Sequence, residues 1–346
     1  MSAIGAQHER RLDPRKSVME LLEVVGPGVP ELQSPPTASE ALDYCRGLAT
    51  SHYENFSVLT SLVPVRLRDD FAAVYAFCRW ADDLGDETGA DETARARSVE
   101  LLDWWKRETA ACFALDREHG TRHPVFVALR ETARRHAEHG LSAKPFLDLI
   151  DAFEQDQRVR AYETWEQCVD YCGRSANPVG RIVLMLAGYA PPEMESANAE
   201  RFAMSDATCT ALQLINFWQD VRRDLVERDR VYLPSRDAGI TPAMLRQWLD
   251  RGDDPGARVA YIRAVRPLVE RTKELFDRGR PLPRHLDRGI APVVWLFGAG
   301  GDATVRAVER IGCATLWQRP RLGKLTKASL VARAGMKAWW GQRGQS

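Results

Sequence analysis

Apolar residues in this chain recur three and four positions apart over most of its length, and strand-like alternation bounded by turns is scarce. That spacing lays an apolar stripe along one face of a helix, so the chain is expected to be all-α, with the stripes turned to a shared core. Eight long segments carry the pattern, at about 69–84, 93–115, 122–138, 144–156, 163–188, 196–226, 256–277 and 302–318. Within 144–156, Phe146, Leu149, Ile150 and Phe153 fall at i, i+3, i+4 and i+7. With 346 residues, 45% of them apolar and 28% charged, the chain has the material for one large core and stands near the upper size for a single one. The glycines Gly298, Gly300 and Gly301 follow the apolar run Ala291 to Phe297 and read as a helix stop, since a dinucleotide loop needs a third spaced glycine and a βαβ setting.

The organisation is expected to be a loosely held lead over 1–37, rich in breakers at Gly26-Pro27-Gly28 and Ser34-Pro35-Pro36, then one domain over 38–323, then a basic helix or tail over 324–346. Forty-eight basic residues balance 48 acidic ones, so the total gives no reason to expect nucleic acid as a partner. The distribution is uneven: no acidic residue follows Glu309, while Arg310, Arg319, Arg321, Lys324, Lys327, Arg333, Lys337 and Arg343 do. In that tail Val331, Ala334, Ala338 and Trp339 can share one helix face with Arg333 and Lys337 opposite, an arrangement suited either to the surface of an anionic membrane or to packing on the domain. Seven scattered cysteines fit a reducing cytoplasm, and Cys168 and Cys172, one turn apart, lack the partners of a metal site. The charged start and the absence of a long apolar run predict a cytoplasmic protein, peripheral at most to the inner membrane surface.

Two acidic clusters sit on otherwise apolar helical segments. In the first, Arg79-Trp80-Ala81-Asp82-Asp83-Leu84-Gly85-Asp86-Glu87, the carboxylates of Asp82 and Asp86 are one turn apart, with Arg79 expected on the same side and Asp83 and Glu87 on a second ridge. In the second, Gln213, Asn216, Asp220 and Asp224 follow spacings of three, four and four, and Leu214, Ile215, Phe217 and Trp218 between them supply apolar bulk. Like charges at i, i+4 oppose helix formation by a few tenths of a kcal/mol. Mg2+, a hard cation that takes carboxylate oxygens and completes its shell with water and phosphate oxygens, explains both clusters. A solvated acidic face paired with nearby arginines is the alternative.

Both clusters resemble the two aspartate-rich motifs of the squalene/phytoene synthase family, and the likeness runs from about 40 to 335. Three further stretches agree: His52-Tyr53-Glu54-Asn55-Phe56 with Tyr75, then Tyr171-Cys172-Gly173-Arg174-Ser175-Ala176-Asn177-Pro178-Val179-Gly180, then Arg230-Val231-Tyr232-Leu233-Pro234. The resemblance implies an isoprenoid synthase-type helical bundle around an apolar tunnel, with the two motifs facing each other at its mouth. It implies that Asp82, Asp86, Asn216, Asp220 and Asp224 hold Mg2+, and that Arg79, Gln213 and Arg319 contact diphosphate or the adjoining polar groups. Tyr75 and Tyr171 would line the site near the reacting carbons, Phe56 and Val179 would form tunnel wall, and His52 and Asn55 would belong to the substrate side.

Within the family, arginine commonly precedes the aspartate at the position of Gln219. The string Asn216-Phe217-Trp218-Gln219-Asp220-Val221, together with His52-Tyr53-Glu54-Asn55-Phe56, is instead similar to the bacterial hydroxysqualene synthases of the hopanoid route, which take presqualene diphosphate and finish with water. On that resemblance Gln219 is expected beside the site, where its amide either orders a water or packs on Trp218. The implied partners are a prenyl diphosphate substrate and, in addition, other enzymes of squalene biosynthesis. Two alternatives stay open: a sibling making presqualene diphosphate, squalene or phytoene from two prenyl diphosphates, and a non-catalytic assembly factor of the same fold.

Overall fold

The computed structural model describes residues 12–29, 35–52, 62–89, 91–114 and 122–343; the side chains of His52 and of 339–343 are outside that description. Among the described residues thirteen helices of seven residues or more carry the chain. They are α1 (Val18–Val25), α2 (Ala38–His52), α3 (Arg68–Asp86), α4 (Glu92–Phe113), α5 (Pro124–Arg135), α6 (Lys144–Asp156) and α7 (Trp165–Ser175). They continue as α8 (Asn177–Leu186), α9 (Ala199–Glu227), α10 (Pro242–Trp248), α11 (Pro255–Gly279), α12 (Ala291–Arg310) and α13 (Lys324–Arg343). The all-α expectation holds, and the β pairing described is a single parallel bridge between Ala161 and Val231. No described helix is long and apolar enough to cross a membrane.

Helix α9, 29 residues long, is the axis of the molecule, contacting α7, α8, α11 and α12. Two apolar clusters lie about it. One gathers α1 to α6 around Phe77, Trp80, Trp105 and Phe146, with Trp80 and Trp105 stacked at 5.4 Å. The other gathers α7, α9, α11 and α12 around Trp218 and Tyr261. Two of these large rings pair their N–H inside the core, Trp80 Nε1 donating to Tyr44 (2.9 Å) and Trp218 Nε1 to Thr272 (2.8 Å), whereas Trp105 Nε1 is buried with no hydrogen-bond partner among the described residues.

The structure corrects the helix pattern in three places. The 163–188 segment is two helices because Pro178, in the first turn of α8, lacks an N–H and crowds the carbonyl four residues back. The segment expected at 302–318 starts at Ala291 and ends at Arg310. Gly298, Gly300 and Gly301 therefore lie inside α12 and stop nothing; at Gly301 a Cβ would meet the Phe276 ring at 2.3 Å, so the glycine lets α12 close on α11. Part of the lead differs as well, since α1 is capped by a Ser17/Glu20 box and buries Val18, Leu21 and Leu22 in the first cluster.

For the basic C-terminal helix the structure selects between the two uses the sequence left open. The face bearing Ala334 is packed against α12, and Arg333 and Lys337 lie over the Trp295 ring at 5.2 and 5.1 Å. Packing on the domain is thus the use of that face; Trp339 and Trp340 have side chains outside the description.

Two neighbouring glycines of α12 predict opposite effects of one methyl group. Gly300→Ala, with open space around its Cβ, should raise stability by up to about 1 kcal/mol through helix propensity. Gly301→Ala should lower it by about 1–3 kcal/mol through overpacking against Phe276. Denaturant unfolding of both variants measures the two signs.

Candidate active site

The first acidic ridge stands in the last turns of α3, and the second occupies the C-terminal half of α9. Immediately after α9 the chain turns at Asp229, whose φ of 53° is a left-handed conformation that aspartate tolerates better than most residues. Its carboxylate is gripped by Arg160 and Arg246, each at 2.5 Å. This turn sends the arginines on either side of it to one carboxylate: Arg228 reaches Asp86 Oδ2 at 2.8 Å and Arg230 reaches Asp86 Oδ1 at 3.0 Å. Arg228 also lies 3.6 Å from Asp224 Oδ1. The two acidic ridges are therefore brought together across the span of one guanidinium.

Below them is a buried polar and aromatic layer. Asp156, the last residue of α6, accepts hydrogen bonds from the Tyr171 hydroxyl (2.6 Å) and the Tyr232 hydroxyl (3.1 Å) and lies 3.6 Å from Arg230. Burial pushes its carboxyl up to about 6, against the pull of Arg230 and the two hydroxyls. Tyr232 stacks on Phe217 at 3.9 Å and approaches Tyr162 and Tyr171 within 6 Å, so aromatic faces floor the site. Cys168 donates its thiol proton to the Tyr232 carbonyl (3.2 Å).

The residues expected from sequence fall into distinct places. Asp82 is half-buried and has no basic side chain within ion-pairing distance among the described residues; burial and the neighbouring Asp86 charge push its carboxyl up. Asp224 is buried, and its carboxyl is pushed up to about 7 chiefly by that burial. Arg79 does not join the Asp82 ridge. It pairs with Asp83 (2.6 Å) and Glu87 (3.3 Å), because the i+4 partner Asp83 is nearly inaccessible to water and needs a counter-ion there. Arg319 grips Asp220 with both Nε (2.6 Å) and Nη2 (2.9 Å). Gln219 orders no part of the acidic cluster: its Nε2 donates to the Pro320 carbonyl (2.7 Å), fastening the strap that carries Arg319.

On the remaining positions, Tyr171 is buried and Tyr75 half-buried; Gln213 is half-buried and Asn216 exposed on the open side of the stripe. Val179, expected as tunnel wall, is 39% exposed. Asn55 and Phe56 lie outside the described residues, as does the His52 side chain. Sequence reasoning assigned no role to Arg228, Arg230, Asp156 or Tyr232. Two basic residues directly after an acidic stripe were a signal for the first pair, whereas Asp156 ends an apolar stripe with nothing nearby to single it out.

Among the described residues no three His, Cys, Asp or Glu side chains converge tightly enough to enclose an ion by themselves. The donor set nevertheless fits a hard divalent cation of the magnesium kind, which takes one or two carboxylates and fills its shell with water and phosphate oxygens. It consists of oxygen donors only, one of them an ionisable group with no counter-ion. As arranged, Arg228, Arg230 and Arg319 neutralise the other carboxylates, which is the arginine-paired alternative raised by the sequence.

Comparison with known proteins identifies relatives of the chain. A squalene/phytoene synthase family profile matches residues 49–326. The chain is 31% identical to a hydroxysqualene synthase of Rhodopseudomonas palustris, over 75% of this chain and 81% of that one. It is 30% identical to a phytoene synthase of Arthrospira platensis, over 61% of this chain and 66% of the other. Among solved structures, the squalene synthase HpnC from Alicyclobacillus acidocaldarius superposes with a TM-score of 0.64 at 40% identity, covering 80% of this chain and 95% of that one.

Asp156 predicts a pH effect on stability. Its carboxyl, at about 6 in the fold against 3.8 unfolded, binds a proton more tightly when folded, so its contribution is full below about pH 4 and lost as pH rises through about 6. The stability advantage of the parent over Asp156→Asn should therefore shrink by roughly 3 kcal/mol between those limits and neutrality. Denaturant unfolding of both proteins across that range measures it, and a constant difference contradicts the assignment.

Proposed function

The chain belongs to the squalene/phytoene synthase family, enzymes acting on prenyl diphosphates, and from that premise we propose that it is a hydroxysqualene synthase. It would convert presqualene diphosphate and water into hydroxysqualene, diphosphate and a proton. The observation that carries the reading is the meeting of two acidic ridges above an aromatic floor, with Asp82 left without a counter-ion among the described residues. The choice of product rests on the Asn216 to Val221 string and on the likeness to the Rhodopseudomonas enzyme.

In this reading Asp82, Asp86, Asn216, Asp220 and Asp224 hold magnesium ions together with the diphosphate. Magnesium, when bound, neutralises negative charge that develops on the leaving group. Arg228, Arg230 and Arg319, freed from the carboxylates they pair with, turn their donors to phosphate oxygens. The C–O bond breaks and its electron pair leaves with diphosphate, and the resulting cyclopropylcarbinyl cation rearranges, its three-membered ring opening, to an allylic cation of the open-chain skeleton. The faces of Tyr171, Phe217 and Tyr232 accommodate the carbocation, and Tyr75 flanks it. Apolar surroundings exclude all but the quenching water, whose oxygen forms the new C–O bond and whose proton is released. Gln219 acts at one remove, by fixing the strap that carries Arg319, and Arg79 by neutralising Asp83.

The first test is chemical. Purified protein with magnesium and presqualene diphosphate should yield hydroxysqualene without NADPH, and the alcohol should carry the label from oxygen-18 water. Squalene formed only with NADPH, or phytoene or presqualene diphosphate formed from two prenyl diphosphates, would assign the chain to a sibling reaction, the direction in which the Arthrospira relative points. The second test is by substitution. Asp82→Asn and Asp220→Asn should each cost several orders of magnitude in turnover with helical circular dichroism intact; near-normal turnover in both removes the acidic ridges from the chemistry.

A further inference from the structure

On the far side of α9 from its acidic stripe, a cavity of about 260 Å³ opens between the end of α11, α12 and α13. Its lining includes the apolar Phe276, Val294, Trp295 and Leu330 and the charged Arg280, Asp302, Arg306 and Arg333, three cations to one carboxylate. Arg280 is neutralised by Asp277 and Asp302. Arg306 is exposed and has no carboxylate within ion-pairing distance among the described residues, and Arg333 lies over the Trp295 ring. The cavity thus offers two guanidinium groups with no carboxylate partner among the described residues, beside apolar side chains.

A second observation comes from the outer face of α13. Leu325, Ala328, Ala332 and Met336 recur at i, i+3, i+7 and i+11, which places them on one stripe of the helix. All four are exposed, Leu325 by 87% and Met336 by 56%, and the stripe is opposite the face that packs Ala334 on the domain. A surface helix ordinarily turns polar residues outward. Here the outward stripe is apolar, Arg333 and Lys337 border it on the cavity side, and no acidic residue follows Glu309.

We propose that the outer stripe of α13 and the arginine-rimmed cavity beside it form a docking face for an anionic lipid bilayer. The stripe lies along the headgroup boundary, and the cavity takes a lipid phosphate on Arg306 and Arg333 with the first acyl carbons over Phe276 and Leu330. Charge complementarity selects the occupant: a basic segment on a chain of zero net charge, built around an apolar stripe, suits an anionic interface better than neutral lipid. This face shares no residue with the acidic ridges, so it stands or falls apart from the reaction assigned to them.

The test is co-sedimentation of the full chain with vesicles of phosphatidylcholine alone and with vesicles in which phosphatidylglycerol replaces part of it. The parent should pellet with the anionic vesicles, less so as salt rises, and weakly with the neutral ones. Arg306→Glu/Arg333→Glu and, separately, Leu325→Glu/Met336→Glu should each raise the lipid concentration for half-binding at least roughly tenfold. Their thermal midpoints and their turnover of detergent-dispersed substrate should stay near those of the parent. Parent protein that stays in the supernatant at every lipid concentration, equal pelleting with both vesicle types, or an unchanged half-binding concentration in both variants overturns the proposal.

Discussion

Four aspartates from two helices cannot share a small, partly buried space as anions without compensating positive charge. Most of the site's architecture answers that constraint. Asp86 is met by Arg228 and Arg230, Asp224 by Arg228, and Asp220 by Arg319, whereas Asp82 has its carboxyl pushed up and no basic partner among the described residues. Such a cluster is poised between two sets of counter-ions. Arginines balance it in one state, and cations accompanied by diphosphate would balance it in the other, with the same guanidinium groups turned toward phosphate.

The arginines reach those positions through backbone features distant from the ridges in sequence. The left-handed turn at Asp229 is stabilised by Arg160 from the loop after α6 and Arg246 from α10, and Val231 then donates to the Arg160 carbonyl at 2.7 Å. That pairing seats Tyr232 over Phe217 and beside Asp156, which joins the acidic cluster to its aromatic floor. On the other flank, Gln219 fastens Pro320, and Trp317 Nε1 donates to the Trp248 carbonyl at 2.8 Å, so the strap bearing Arg319 is tied at two points. A neutral amide at position 219 thus has a structural use, donating to the Pro320 carbonyl.

Much of this was legible in the sequence because helices report themselves locally. The three- and four-residue spacing located α3, α4, α6, α9 and α11 within a few residues, and the carboxylate ridges stood out against their apolar flanks. What failed was set by contacts between distant segments. Gly301 reads as a stop until Phe276 is known to fill the space a side chain would need. Arg79 has carboxylates at both i+3 and i+4, and only the burial of Asp83 decides between them. The apolar face of α13 was visible, but whether it met lipid or the domain depended on the surface α12 offers to it. Asp156 carries no local mark at all; its importance arises from Tyr171, Tyr232 and Arg230 converging on it from three other segments.

The central claim is that the two ridges form one site for divalent cation and diphosphate together. Titration calorimetry of magnesium into the protein, with and without inorganic diphosphate, tests it without reference to any product. Tight uptake of magnesium should appear only when diphosphate is present, and should be abolished both by Asp82→Asn on α3 and by Asp224→Asn on α9. Magnesium uptake that is indifferent to diphosphate, or that survives loss of either ridge, would contradict the account.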